Sequence, residues 1–353
     1  MDSSALGMTL AQWLGIELPI IQAPMAGVQG SDLAVAVAQA GGLGSLPCAL
    51  LSTEQMRSEL ASVRARTDRP INVNFFCHTP PAPDPVRDAM WRARLAPYYR
   101  EFGLDVDAFV DRPGRTPFNE EALQLLEEFR PAVVSFHFGL PAESLLARVR
   151  ATGAKVLGSA TTVDEARFLE AHGVDAIIAQ GAEAGGHRGM FLTGDVHTQV
   201  GTFALLPQIV RAVRVPVIAA GGIADAPTMA AAQALGAVGS QVGTSYLLCR
   251  EVATTDIHRA AIQTAGGAQT VITNVLTGRP ARGLMNRLMR ELGPLSDLAP
   301  AFPSASAAIA PLRAAAESLG RDDFSTMWCG QNTSGCRDAS AAEVSHELCA
   351  WVR

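Results

Sequence analysis

His187 is the residue of this chain best placed by its neighbours to do proton chemistry. It lies in Ala179-Gln-Gly-Ala-Glu-Ala-Gly-Gly-His-Arg-Gly189, and Gly185, Gly186 and Gly189 around it offer little side-chain shielding. A neutral imidazole can accept a proton near pH 7 and an imidazolium can hydrogen-bond an anion, so both roles stand beside a third, in which the histidine only stabilises its loop. Gln180 can donate to or accept from a heteroatom of a planar ring, and Arg188 can hold the loop or meet an anionic substrate.

Two glycine-rich segments follow, Ala219-Ala-Gly-Gly-Ile-Ala-Asp225 and Gly239-Ser-Gln-Val-Gly-Thr-Ser245. Glycine lets backbone N–H groups approach an anion closely, and a helix starting just afterwards adds a favourable dipole. Gly221 and Gly222 would also serve a plain tight turn. Phosphate binding is the expectation because both segments end successive strands. Gln22-Ala-Pro-Met25 and Asn72-Val-Asn-Phe-Phe76 complete the set. Met25 is polarizable and suits a flat ring, though core packing also explains it. Asn72 and Asn74 share one face of a strand; Asn74, nearer the carboxyl end, is the candidate for a polar contact, and Asn72 is assigned to satisfying backbone. His137, between Phe136 and Phe138, is either directed into the interior or a satisfied core histidine. No zinc spacing, phosphate-binding G-x-x-x-x-G-K-[ST] or nucleophile elbow occurs, adjacent Cys77 and His78 cannot both serve one ion from a regular strand, and Cys329 and Cys336 read as core thiols, so no metal site is expected.

Eight short apolar segments must position these groups: Pro19–Met25, Gly41–Leu46, Ile71–Phe76, Val133–Gly139, Lys155–Thr161, Ala176–Gly181, Pro216–Gly222 and Gly239–Thr244. Near-continuous apolar runs mark parallel strands covered on both faces. Helical stretches follow them, with Asp32, Thr162 and Asp225 opening three and glycines 41, 173 and 236 closing them. The pattern predicts an α/β TIM (β/α)8 barrel with a smaller, mainly helical cap; a doubly wound sheet is the competing fold. Residues 1–250 would form the barrel, with an insertion at about 77–130. Residues 251–325 would form the helical cap, and 326–353 would return to the barrel. In such a barrel the carboxyl ends of the strands carry the site, and the loops after the seventh and eighth strands commonly bind phosphate.

The 353-residue chain is 48% hydrophobic and 18% charged, which excludes disorder and allows a large core. A net charge of −6 without a basic run argues against nucleic acid. Among 28 cationic side chains one is a lysine, Lys155, so lysine chemistry has a single seat. Six cysteines without a C-x-x-C pair, no secretory leader and no apolar run long enough to span a bilayer point to a cytoplasmic protein with no membrane partner. Nothing in the pattern bears on oligomeric state.

Taken in order, Gln22–Gly27, Gly41–Gly44, Asn72–Phe76, Ala179–Gly189, Ala219–Asp225 and Gln241–Thr244 resemble the nitronate monooxygenase (2-nitropropane dioxygenase) family, FMN enzymes on a TIM barrel with a helical cap. The likeness is close over residues 15 to 250, and Gly278-Arg-Pro-Ala-Arg282 and Trp328-Cys-Gly-Gln331 extend it. It implies that Ala23, Pro24 and Met25 lie against the flavin ring, that Asn74 and Gln180 contact the flavin or its substrate side, and that Gly185, Gly186, Gly221, Gly222, Gln241, Val242, Gly243 and Thr244 hold ribityl and phosphate. His187 would be catalytic, and nitronates or nitroalkanes with O2 would be the small-molecule partners. Enoyl- and quinone-reductase relatives share two of these segments, so an NAD(P)H-dependent FMN reductase is the alternative. Some family members line the substrate pocket with cap tyrosines and a lysine; here the corresponding stretch offers Phe302, and an apolar mouth is expected.

Overall fold

Every apolar segment singled out above forms a strand in the computed structural model, which describes residues 9–106, 115–265 and 269–350. Residues 107–114, 266–268 and 351–353, parts of the expected insertion, cap and C-terminal segment, lie outside the described residues, as do 1–8. In chain order the strands are β1 (Ile20–Gln22), β2 (Gly44–Pro47), β3 (Ile71–Phe76), β4 (Val133–His137), β5 (Lys155–Ala160), β6 (Ala176–Gln180), the two-residue β7 (Gly186–His187), β8 (Val217–Ala220) and β9 (Gly239–Val242). All but β7 pair in parallel in the order β1-β9-β8-β6-β5-β4-β3-β2, and a parallel bridge between Ile21 and Leu43 closes the ring. The result is a (β/α)8 barrel. Helices between the strands bury their apolar faces on it, and the expected caps are present: Thr162 accepts from the Glu165 N–H and Asp225 from the Thr228 N–H.

Ile21, Leu43, Val133, Leu157, Ile178 and Ile218 fill the barrel interior together with Leu10 and Leu14 of the helix Leu10–Leu14. Side chains therefore plug the amino-terminal end, and the opposite end is left for the site. Lys155 opens β5 at that amino-terminal end, exposed and with its ammonium 5.7 Å from the Trp13 ring centroid, which removes it from the chemistry.

Beyond β9 the chain forms helices Asp256–Ala265, Arg287–Leu292 and Ala305–Ser318, as the helical expectation has it, but adds strands β10 (Thr270–Thr273) and β11 (Ala281–Leu284). β-branched Thr270-Val-Ile-Thr273 suits a strand, and β11 pairs antiparallel with both β10 and β7, setting Ala281 opposite His187. The loop after β6 is thereby stitched into the covering structure. The insertion divides in two. Helix Pro85–Glu101 packs Trp91, Leu95, Tyr98 and Tyr99 against Val275, Leu288, Leu312 and Phe324 in a second core, whereas helix Glu120–Phe129 packs Leu123 and Leu126 into the barrel's core. Helix Ala341–Leu348 also buries Ala341, Val344 and Leu348 in the barrel's core, and its Ser345 hydroxyl lies 2.8 Å from that of Tyr246. No helix among the described residues is long and apolar enough to cross a membrane.

Candidate active site

The carboxyl ends of the strands open into a cavity of about 470 Å³, within the range of small-molecule sites. Ala23, Pro24, Met25, Asn74, Gln180, Gly185, Gly186, His187, Gly221, Gly222, Gln241, Val242, Gly243 and Thr244 all line it. Strand β1 is shorter than the apolar run suggested. The chain leaves it after Gln22, so Ala23, Pro24 and Met25 form part of the wall, with Met25 Sδ and Ala23 Cβ close to Gly243.

Backbone does most of the shaping on the barrel side. Gly221 and Gly222 have φ of +113° and +75°, values that side chains rarely tolerate. Gly185 is required for a different reason: a Cβ there would come within 2.6 Å of the Gly330 nitrogen, where the returning chain approaches closely. That chain, residues 330–332, ties the turns together. Gly330 N–H donates to Thr244 Oγ1 (2.9 Å), Gln331 N–H to the Glu183 carbonyl (3.0 Å) and Asn332 Nδ2 to the Gly222 carbonyl (2.8 Å). Gln241 Oε1 is occluded and has no donor among the described residues.

Gln180 serves the loop. Its Nε2 donates to the His187 carbonyl (3.1 Å) and its Oε1 accepts from the Gly189 N–H (2.7 Å), so the amide clamps the segment that carries the histidine. Arg188 resolves the same way, fully buried and donating to the Gln180 carbonyl and the Gln199 side chain. Asn74 lines the cavity while its Nδ2 donates to Ser135 Oγ (2.9 Å), and Asn72 reaches the Ser45 hydroxyl rather than backbone. His137 combines its two expected roles: it lines the cavity and donates through Nε2 to the His187 carbonyl (3.1 Å).

His187 is enclosed by aromatics, with ring centroids of Trp328 and Phe302 at 5.3 Å, Phe138 at 5.9 Å and Phe76 at 6.0 Å. Phe138 sits at φ +70°, an unfavourable value for a bulky residue that is tolerated here because packing on every side holds its ring in place. Burial holds the His187 pKa well below the ordinary histidine value, and the positive charges of Arg115 and Arg279 push it the same way. The ring is therefore neutral near pH 7. Arg115 lines the cavity with its guanidinium 5.0 Å from the Phe302 centroid, and its Nη1 is occluded with no partner among the described residues. Burial draws its pKa down to about 10, and nearby Arg313 adds to this. Arg279 lies 3.9 Å from the Phe138 centroid and donates to the Met190 carbonyl.

Sequence reasoning missed Arg115, Arg313, Thr277 and Asn332. The two arginines carried no signal among so many, whereas Thr277 directly precedes the Gly278–Arg282 motif and Asn332 follows Trp328–Gln331. Phe302, expected at an apolar mouth, is instead buried against the rings of Phe76, Phe138 and His187, and the cavity's covering side is lined by Arg115, Arg313 and Glu317. The cationic groups on that side are thus arginines rather than a lysine.

Closed barrel, glycine-turned cavity and shielded neutral histidine define a (β/α)8-barrel protein with a small-molecule site at the carboxyl-terminal face. A family model described as nitronate monooxygenase matches residues 8–350. The chain is 41% identical to a nitronate monooxygenase of Pseudomonas aeruginosa over 96% of its own length and 97% of the relative's. It is also 41% identical to one of Paraburkholderia phytofirmans, over 95% and 92%. Among solved structures, a nitroalkane oxidase from Streptomyces ansochromogenes superposes with a TM-score of 0.87 at 38% identity, covering 95% of each chain. A structure of FabK from Thermotoga maritima superposes at 0.70 with 26% identity, covering 96% of this chain and 94% of that one. The chain belongs to the nitronate monooxygenase family and is a flavin-dependent oxidoreductase.

Proposed function

We propose that the chain is an FMN-dependent nitronate monooxygenase, converting alkyl nitronates with O2 to carbonyl compounds and nitrite. Convergence carries the reading: every residue nominated for flavin contact or catalysis lines one cavity, together with a guanidinium that has no carboxylate beside it among the described residues. The residues suit the cofactor. Gln241 Oε1 is an acceptor awaiting a donor, as a flavin ring N–H or a ribityl hydroxyl would supply, and the turns at Gly221–Gly222 and Gly243–Thr244 offer backbone N–H groups to a phosphate. Ala23, Pro24 and Met25 would flank the ring. FMN, when bound, supplies the electron transfer from nitronate to O2.

The chain's own residues do the rest. Arg115 holds the nitronate oxygens, an anion favoured by a half-buried guanidinium that has no ion pair among the described residues. Phe76, Phe138, Phe302 and Trp328 exclude water, which strengthens that attraction. His187, neutral at working pH, takes the α-proton of a nitroalkane and orients a nitronate that arrives already deprotonated. In this reading residues 1–250 bind the flavin, 251–325 cover the substrate and 326–353 brace the phosphate turns. The protein works in the cytoplasm, in keeping with six free thiols.

Anaerobic mixing tests the reading. Ethyl nitronate alone is expected to bleach the flavin absorbance, and NAD(P)H alone is not. A second reading, an NAD(P)H-dependent FMN reductase of a quinone or enoyl thioester, draws support from the segments shared with reductases, and the opposite result would establish it.

A further inference from the structure

The role proposed for His187 leaves open which ring nitrogen receives the α-proton. We infer that Thr277 decides this: its hydroxyl keeps the proton of the neutral imidazole on Nε2 and leaves Nδ1 as the base, which makes Thr277 a positioning residue for nitroalkane deprotonation. The inference rests on the proposed role of His187.

Thr277 is fully buried, and its Oγ1 lies 3.0 Å from His187 Nε2 and 3.3 Å from the Arg279 carbonyl oxygen. A hydroxyl has one proton and a carbonyl only accepts. With that proton committed to the Arg279 carbonyl, the contact to the imidazole is Nε2–H donating to Oγ1. The reverse assignment would strip the Arg279 carbonyl of this donor. Since the neutral ring has a single N–H, Nδ1 keeps its lone pair, and no hydrogen bond within the described residues engages it.

The ring is also fixed in place. β7 pairs His187 with Ala281, the His187 carbonyl accepts from both Gln180 Nε2 and His137 Nε2, and Trp328 and Phe302 flank the imidazole. The groups whose charges bear on it are Arg115, Arg279, His137 and His78. With no acid in that set to capture a ring proton, the hydroxyl sets the tautomer.

The step balances without an oxidant. The Cα–H proton moves to Nδ1, the C–H electron pair becomes the C=N π bond of the nitronate, and the negative charge settles on the nitro oxygens, beside Arg115. Nε2–H continues to donate to Thr277 throughout. A nitronate supplied ready-made skips this transfer. Dependence on Thr277 therefore differs between the two substrates.

The experiment compares nitroethane with ethyl nitronate in flavin-loaded wild type, Thr277→Val, Thr277→Ser and His187→Asn, and reads the His187 ring by 15N NMR. In T277V, kcat/KM for nitroethane should fall about tenfold or more beyond any fall for ethyl nitronate, with T277S restoring most of the difference. The wild-type ring should be the Nε2–H tautomer, and in T277V a mixture. H187N retaining full nitroethane turnover would overturn the parent reading. A normal H187N loss combined with an Nδ1–H ring in the wild type, or with equal losses for both substrates in T277V, would overturn the assignment to Thr277 alone.

Discussion

Two walls of one cavity are built from different material. The barrel wall, residues 23–25, 221–222 and 241–244, presents mostly glycine, alanine and backbone; the covering wall presents Arg115, Thr277, Arg313, Glu317 and Trp328. In the proposed reading, backbone groups on the first wall meet what every molecule of one cofactor has in common. Side chains of varied size and charge suit a substrate that differs from enzyme to enzyme. His187 belongs to both walls, because β7 grows from the barrel loop and pairs with β11 of the covering sheet.

Removing the residue that joins the walls should have the largest effect. His187→Asn is expected to lower nitroethane turnover by about 10²- to 10⁴-fold while the purified protein stays yellow, measured as nitrite release against flavin content. Loss of the flavin along with activity would show that His187 is part of the cofactor wall instead. Gly222→Val tests the barrel wall. A β-branched residue at that positive φ should weaken flavin binding by roughly 10- to 100-fold, read as flavin stoichiometry after gel filtration. Full occupancy in this variant would refute the backbone cradle.

Arg115→Met probes the covering wall and should separate binding from stability. KM for nitronates is expected to rise about tenfold or more, since a charge-assisted contact is worth roughly 1.5–3 kcal/mol. Tm should rise as well, because the variant removes a guanidinium that is desolvated with no carboxylate beside it among the described residues. An unchanged KM would move the anion contact away from Arg115.

The histidines give a pH signature. Burial draws His78 and His258 down to about 4 and His137 down to about 3. These rings are neutral in the fold, whereas in the unfolded chain they gain protons below about pH 6.5. Stability is thus fully present above pH 6.5 and declines as pH falls from there toward 3–4, a trend that urea titrations at several pH values would show. kcat/KM for nitroethane should show no inflection near 6.5, because the His187 pKa lies well below it. The smallest effect is expected from Lys155→Ala at the opposite end of the barrel. Activity should stay within about twofold and stability within roughly 1 kcal/mol, the scale of an exposed cation–π contact.

The same division governs what could be read in advance. Gly221, Gly222 and Gly243 were legible because backbone chemistry leaves a compositional trace at a predictable place, the ends of successive strands. Met25 and Gln180 were identified as wall residues, but the engagement of Gln180 with its own loop depends on where residues 187–189 fold back. Arg115 had no local trace, lying in an insertion beside many other arginines. The short strands β10 and β11 are hard to see because four-residue elements carry almost no periodicity.

By itself, the order of apolar segments, glycines and capping residues pointed to a parallel (β/α)8 barrel and to the end at which its cavity opens. These are local properties: burial on both faces, left-handed turns, helix starts. Tertiary structure decided the rest. It brought Arg115, Thr277 and Phe302 from segments far apart in the chain to one histidine, and it held that histidine neutral by removing water and placing cations nearby. The state of an ionisable group depends on the summed field and solvation of everything folded around it, and that sum exists only once the chain has closed.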